Sequence, residues 1–181
     1  MRIISGKYRG KRINPPAGFN ARPTTDYARE SLFNILSNRI DFESLEVLDL
    51  FSGTGGISYE FASRGARTVH LVERDYKNIS FIRKMLNEMK LENVRALHID
   101  TKAYLKACNY KYDIVFADPP YDLPWLTEIP DLVIGASILN ENGYFILEHP
   151  KHISFSNHPQ FSEHRDYGSV NFTFFTGPIQ N

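Results

Sequence analysis

The sequence predicts an α/β domain built on a doubly wound, mostly parallel sheet. Apolar strand-like runs alternate with helical patterns from Leu45 onward, which is typical of βαβ units. Acids stand at or near the ends of four successive predicted strands. The last segment differs, because two strand-like runs joined by Gly168-Ser169 predict an antiparallel hairpin. A chain of 181 residues can bury one sizeable core of this kind.

Each element follows from a local pattern. A short hairpin is predicted at residues 2–8 and 10–13. A linker follows, marked by Pro15, Pro16 and Gly18. A helix with one apolar face is predicted from Asp26 onward. Further strands are predicted near 46–51, 68–72, 94–99, 112–117 and 143–148, and helices near 56–64, 76–90, 101–108 and 126–136. The terminal hairpin covers 161–167 and 170–175. We predict a basic N-terminal β-hairpin arm and linker at residues 1–22, called the N-terminal arm below, and a second domain at residues 23–181.

The run from Ile114 to Tyr121 is the most informative feature. Apolar residues 114–117 predict a buried strand, and Asp118-Pro119-Pro120-Tyr121 follows directly. Proline has no N–H, so strand pairing ends there. A carboxylate, a backbone carbonyl and an aromatic ring then lie together, and these groups can hold a planar amino group. Taken alone, the motif is equally compatible with a Pro-Pro turn that merely ends a strand.

A glycine-rich turn follows the first strand of the repeating pattern. It contains Asp49, Gly53, Gly55 and Gly56, and Glu73 ends the next strand at the spacing of a ribose-binding carboxylate. Ser58 occupies the place of a third glycine, which argues against a nicotinamide or flavin site. Asp100 follows the third strand. Because ligands of open α/β sheets bind beyond the carboxyl ends of the strands, these acids predict one site.

Charge is distributed unevenly along the chain. Residues 1–25 contain six cations and no acid, whereas the remaining residues contain 15 cations and 21 acids. This asymmetry favours a polyanionic partner over a merely solvated edge hairpin. We expect a nucleic acid to contact these cations: Arg2, Lys7, Arg9, Lys11, Arg12 and Arg22.

Several function classes are disfavoured. No apolar run is long enough for a membrane span or a signal peptide, and a single cysteine fits a reducing, cytoplasmic setting. His149 and His152 lack partners at metal spacing, so we expect no metal. The nucleotide-hydrolase motif G-x-x-x-x-G-K-[ST] and the serine-hydrolase motif G-x-S-x-G are both absent. We expect a monomer.

The motifs together resemble a known family. Asp49-x-Phe51-x-Gly53-x-Gly55 with a downstream Asp-Pro-Pro-Tyr resembles the class I S-adenosylmethionine-dependent amino-methyltransferases, which have a Rossmann-like fold. The blocks at 2–6, 22–24 and 29–36 are similar to the RsmD family. That resemblance implies methyl transfer from S-adenosyl-L-methionine to N2 of a guanine in bacterial 16S ribosomal RNA, and we expect this RNA to be part of a small-subunit assembly. DNA adenine methyltransferases share Asp-Pro-Pro-Tyr and stay an alternative, as does a non-catalytic RNA-binding module.

The resemblance also implies roles for single residues. Asp118, Pro119, Pro120 and Tyr121 would form the catalytic motif. The cofactor would meet three groups of residues: Asp49, Ser52, Gly53 and Gly55 at its methionine end, Glu73 at its ribose, and Asp100 with Thr101 at its adenine. Thr24 and Arg29 would close over it.

Overall fold

A seven-stranded sheet forms the centre of the protein. The computed structural model describes residues 1–16 and 26–177. The strands are β1 (Glu46–Leu50), β2 (Thr68–Glu73), β3 (Val94–His98), β4 (Tyr112–Ala117), β5 (Leu139–His149), β6 (Phe161–Tyr167) and β7 (Val170–Thr176). Their order is β3-β2-β1-β4-β5-β7-β6. The first five strands in this order pair in parallel, and β7 and β6 pair antiparallel, as predicted.

Helices cover both faces of this sheet. They are α1 (Asp26–Ser37), α2 (Gly56–Ser63), α3 (Tyr76–Met89), α4 (Thr101–Ala107) and α5 (Ile129–Gly135), with short 3₁₀ turns at Phe42–Ser44 and Leu126–Glu128. Apolar side chains of α1, α2 and α3 pack on one face, and those of α4 and α5 on the other. The predicted doubly wound architecture is therefore confirmed. None of the helices in the described ranges is long and apolar enough to cross a membrane.

The switch in strand order lies at β1. The chain runs outward from β1 through β2 to β3 and then returns to the other side of β1 as β4. Helices that follow β1 and β4 consequently leave in opposite directions, and the carboxyl ends of these strands border a crevice. This is the place where open α/β sheets bind ligands.

The N-terminal arm is less regular than the predicted hairpin. Within residues 1–16, its antiparallel pairing is reduced to one isolated bridge, between Arg2 and Arg12. Hydrogen bonds from Ile3 N–H to the Lys11 carbonyl and from Ile13 N–H to the Met1 carbonyl support it. Ile3 and Ile13 are buried in the core shared with α1 and α2. Burial of these two side chains holds the arm against α1 and α2 more than strand pairing does.

Backbone groups of the arm also bind the end of α2. The Glu60 carboxylate accepts hydrogen bonds from Ile4 N–H at 2.9 Å and from Ser5 N–H at 3.1 Å. Gly6 has φ +80°, and a Cβ there would lie 1.8 Å from the Ser63 carbonyl oxygen. Only glycine therefore allows this close approach. The predicted division after residue 22 lies outside the described residues and stays a prediction.

Two other predicted elements differ in their limits. Strand β5 begins at Leu139 rather than at 143, and its pairing with β4 shifts register where Asn142 has φ +58°. The predicted helix 126–136 is a 3₁₀ turn followed by α5, with Pro130 in the first turn of α5. Proline lacks the N–H that a continuous helix would need but is tolerated in a first turn.

Candidate active site

A cavity of about 630 Å³ lies at the carboxyl ends of β1, β2, β4 and β5. Its volume is in the range of small-molecule and cofactor sites. Most of the residues predicted from the sequence line it together: Arg29, Asp49, Ser52, Gly53, Glu73, Thr101, Asp118, Pro119, Pro120 and Tyr121. Three of the four predicted strand-end acids, Asp49, Glu73 and Asp118, therefore line one cavity.

The turn between β1 and α2 forms the floor of the cavity. Phe51 has φ +58° and Gly53 has φ +55°, so the backbone folds back tightly beside the cavity. The Ser52 hydroxyl lies 2.8 Å from the Asp49 carbonyl and 3.0 Å from the Val72 carbonyl, which ties the turn to β1 and β2. The turn is therefore held in shape by the protein itself.

Asp49 is a buried carboxylate in this floor. It is 1% exposed, and the Ser58 hydroxyl donates a hydrogen bond to its Oδ2 at 2.6 Å. The pKa of Asp49 is raised to about 7, mainly because burial disfavours the charged carboxylate; the Ser58 hydrogen bonds oppose this shift, and the nearby Glu73 charge adds to it. Sequence reasoning treated Ser58 only as a missing glycine. Its hydroxyl, in the first turn of α2, donates to the carboxylate and supports it.

Glu73 fixes two backbone segments at the edge of the cavity. Its Oε2 accepts from Gly53 N–H at 2.8 Å, and its Oε1 accepts from Asp75 N–H at 2.7 Å. Asp75 in turn caps α3. Each carboxylate oxygen has two lone-pair directions, so these bonds leave acceptor capacity toward hydroxyl groups in the cavity.

The Asp-Pro-Pro-Tyr motif follows β4 and forms the opposite wall. Ala117 pairs with Leu147 across β4 and β5, so the next residues, Asp118 and Glu148, follow on neighbouring strands. The Tyr121 hydroxyl donates a hydrogen bond to Oε1 of Glu148 at 3.1 Å. Glu148 is 4% exposed and lines the cavity, yet sequence reasoning missed it. Glu148 stands at the end of a predicted strand, and this position could have identified it as a candidate site residue.

Two predicted cofactor residues lie outside the cavity lining. Gly55 has φ +83° and is the N-cap of α2, where a Cβ would lie 2.7 Å from the ring of Tyr59. Asp100 caps α4, accepting from Lys102 N–H at 2.9 Å and Ala103 N–H at 3.2 Å. Gly55 thus shapes the turn, and the adenine contact of Asp100 stays a prediction.

Arg29 connects the cavity to the N-terminal arm. It is 2% exposed, and its Nη2 donates to the Arg2 carbonyl at 2.6 Å and to Asp26 at 2.8 Å. Met1 contacts the same guanidinium and also lines the cavity. The arm and the cavity therefore share a wall. Thr24, predicted to act with Arg29, and Arg22 lie outside the described residues.

The cationic side chains of the arm face solvent. All of the predicted RNA-binding residues in the described part are exposed: Arg2, Lys7, Arg9, Lys11 and Arg12. None of them forms an ion pair with an acid among residues 1–16 and 26–177. Within the same ranges, no group of three or more His, Cys, Asp or Glu side chains could hold a metal ion.

Comparison with known proteins identifies the family. The profile of the family described as Conserved hypothetical protein 95 matches residues 1–176. Ribosomal RNA small subunit methyltransferase D of Buchnera aphidicola subsp. Baizongia pistaciae is 38% identical over 148 residues, which are 82% of this chain and 75% of that relative. The chain belongs to this family. The RsmD membership predicted from the sequence is confirmed.

Further relatives agree with this assignment. The Escherichia coli K12 protein of the same name is 34% identical over 144 residues, or 80% of this chain and 69% of its own length. A solved Escherichia coli structure assigned to the methyltransferases, yhhF, is 28% identical with a TM-score of 0.86 and covers 99% of both chains. The predicted class I methyltransferase fold is therefore confirmed.

The cavity of this RsmD family member has hydrogen-bonding groups that fit S-adenosylmethionine, the methyl donor predicted from the sequence. Asp49 offers a carboxylate to a cationic ammonium group, and Glu73 offers two acceptors to ribose hydroxyls. The Gly53 backbone, which has no Cβ, allows close approach between them. These residues border the β1–β2 half of the cavity, and the Asp-Pro-Pro-Tyr motif borders the β4–β5 half.

Proposed function

We propose that this RsmD family member transfers a methyl group from S-adenosylmethionine to the exocyclic N2 amino group of a guanine in small-subunit ribosomal RNA. The observation that carries the proposal is the Asp118-Pro119-Pro120-Tyr121 wall, which faces the Asp49–Glu73 wall across one cavity. An amino-group acceptor and a methyl donor can therefore bind side by side. The names of the relatives support ribosomal RNA as the substrate.

The amino group needs activation, because its lone pair is delocalised into the base. The Asp118 carboxylate and the Pro119 carbonyl accept its two N–H bonds and favour a pyramidal nitrogen whose lone pair is directed at the methyl group. They also stabilise the positive charge that develops on nitrogen during attack. Tyr121 stacks on the base and fixes its plane. The bound donor would supply a methyl carbon whose bond to sulfur breaks as its bond to nitrogen forms, with the electron pair of the broken bond going to sulfur.

The nitrogen then loses one proton, and the Asp118 carboxylate accepts it before it passes to water. Positioning accounts for much of the remaining acceleration, since two bound reactants in alignment react as one species. Bound cofactor supplies the electrophilic methyl group. Asp49, Ser52 and Gly53 hold its methionine end, Glu73 its ribose, and the edge near Thr101 its adenine.

RNA reaches this site through the N-terminal arm. The exposed cations of the arm bind phosphates and supply affinity rather than base choice. The target base must leave its stack to enter the cavity. We expect the protein to act as a monomer in the cytoplasm, without a metal ion, on RNA within a small-subunit assembly.

Incubation with labelled S-adenosylmethionine tests the proposal. Naked 16S ribosomal RNA and assembled small subunits are offered separately, and the modified nucleoside is mapped by nuclease digestion and mass spectrometry. The expected product is N2-methylguanosine at a single position. Transfer to adenine N6 in duplex DNA would instead establish the adenine methyltransferase alternative, and binding of cofactor and RNA without any transfer would establish the non-catalytic one.

A further inference from the structure

We propose that Glu148 selects guanine by accepting the hydrogen bond of its N1–H group. This inference rests on the proposed function and extends it from the amino group to the base that carries it. Glu148 thereby becomes a specificity-determining residue, distinct from the groups that hold the reacting nitrogen.

Strand geometry places Glu148 beside the reacting group. Phe116 and Ile146 pair across β4 and β5 and both join the core cluster that includes α1 and α2. Side chains alternate along a strand, so Glu148, two residues after Ile146 on β5, projects toward this same face. Asp118 directly follows β4, and both acids line the cavity. Neighbouring strands lie about 4.8 Å apart. Glu148 therefore lies next to Asp118, on the side of β4 that faces away from β1. The proposed methyl-donor site is on the β1 side.

The Watson–Crick edge of guanine matches this arrangement. Its N2 amino group lies beside N1–H, so two neighbouring carboxylates can accept from both positions. Adenine placed with N6 toward Asp118 would present an unprotonated N1, an acceptor, to the Glu148 carboxylate. An ionised carboxylate can only accept hydrogen bonds, and a buried pair of facing acceptors is costly. The same wall that binds guanine consequently rejects adenine.

Burial and a fixed orientation make Glu148 suited to this role. It is 4% exposed, so water competes little for its oxygens. The Tyr121 hydroxyl donates to Oε1 at 3.1 Å and holds the carboxylate beside the aromatic ring that stacks on the base. The residue that sets the plane of the base thus also orients the group that recognises its edge.

A substrate analogue separates base recognition from catalysis. RNA is prepared with guanine or 2-aminopurine at the mapped position, within reconstituted subunits where assembly is required. 2-Aminopurine keeps the 2-amino group as its one exocyclic amine, but its N1 carries no hydrogen. The wild-type protein should favour guanine in kcat/KM by about tenfold to a hundredfold, the range of a good base-edge contact.

The variant Glu148→Gln should reduce or reverse this preference, because its amide can donate to the unprotonated N1 of 2-aminopurine. Its affinity for S-adenosylhomocysteine should stay unchanged. Glu141→Gln is the matched control, because Glu141 is an exposed acid on the same strand. It should keep the wild-type preference, and thermal midpoints verify the folding of both variants.

Two results would overturn the inference. A wild-type protein that methylates both bases equally shows that N1–H is not recognised, whatever the variant does. An equal loss of rate on both bases in Glu148→Gln shows that Glu148 only supports Tyr121. Absence of N2 methylation on guanine itself, with normal cofactor binding, would instead reject the proposed function and this inference with it.

Discussion

The guanidinium of Arg29 holds the backbone carbonyl of Arg2, with 2.6 Å between Nη2 and the oxygen. The two residues belong to α1 and to the N-terminal arm, and Arg29 also lines the cavity. A single buried side chain therefore joins the segment proposed to bind RNA to the segment proposed to bind cofactor. Loss of this contact should therefore affect both the N-terminal arm and the cofactor cavity.

We expect Arg29→Met to lower the free energy of unfolding by roughly 1–3 kcal/mol, because it leaves the part-buried Arg2 carbonyl without its charged donor. Affinity for S-adenosylhomocysteine should fall as well, since the shared wall loosens. Urea titration and calorimetry measure the two effects. Arg83→Met, at an exposed position of α3, should change neither quantity. Equal behaviour of the two variants would show that the Arg29 contact is dispensable.

Asp118→Ala should reduce kcat by about a hundredfold or more, because the transition state loses one of two acceptors for the developing charge. Asp118 lies beyond the end of β4, outside the apolar core, so the thermal midpoint should change little. Single-turnover methylation and thermal melting check both statements. Turnover close to the wild-type value would remove Asp118 from the mechanism.

Glu73→Ala should weaken binding of S-adenosylhomocysteine about tenfold to a hundredfold, corresponding to roughly 1.5–3 kcal/mol for lost hydrogen bonds to a charged group. Part of this loss comes from the released Gly53 and Asp75 N–H groups. RNA affinity should stay nearly constant. Calorimetry is the measurement, with the exposed Glu88→Ala on α3 as control. An unaltered dissociation constant would argue against a ribose contact.

The pKa of Asp49, raised to about 7 in the folded protein, predicts a pH-dependent stability. The unfolded chain releases this proton near pH 4, so the folded state binds more protons between about pH 4 and pH 7. The contribution of Asp49 to stability is therefore largest at low pH and declines as pH rises to 7. Relative to Asp49→Asn, the wild type should lose about 2–3 kcal/mol between pH 5 and pH 8.

Urea unfolding of the wild type and Asp49→Asn at a series of pH values checks this prediction. The difference between the two proteins removes the contribution of other titrating groups. A difference that stays constant from pH 5 to pH 8 would show that Asp49 is ionised throughout.

Replacing Lys7, Arg9, Lys11 and Arg12 with Gln should flatten the dependence of log K on log salt for RNA binding by up to about 2.8, at about 0.7 per phosphate contact with single-stranded RNA. These side chains are exposed, so the thermal midpoint should change little. Binding titrations across salt concentrations measure the slope. Gln at four exposed cations elsewhere, Arg83, Lys84, Arg95 and Lys106, should have a smaller effect.

Much of the fold could be predicted because each repeating unit has a strong local pattern. Strand and helix limits agree within one or two residues for β1 to β4 and for α2 to α4. The placement of Asp118, Asp49 and Glu73 at one edge follows from parallel strands having their carboxyl ends on the same side. No contact between distant residues is needed for these predictions.

The remaining features depend on contacts that a sequence pattern does not contain. Glu60 holds the N–H groups of Ile4 and Ser5 across more than 50 residues of chain, so the arm is part of the core rather than a free hairpin. The sequence allows the Asp100 carboxylate either to contact adenine or to cap α4, and in the structure its side chain caps α4. The end of a predicted strand could indicate Glu148 from the sequence, but its position near Asp118 depends on the β4–β5 register, in which Ala117 pairs with Leu147.

The order of the strands separates the two halves of the candidate active site. In the proposed assignment, the ends of β2 and β1 carry the groups for the methyl donor, and the ends of β4 and β5 carry those for the base. If this assignment holds, a substitution at the end of β5 should change which nucleobase is methylated without altering how the methyl donor is bound. This separation offers a rational route to RNA methyltransferases with new base preference, in which the donor half of the protein stays untouched.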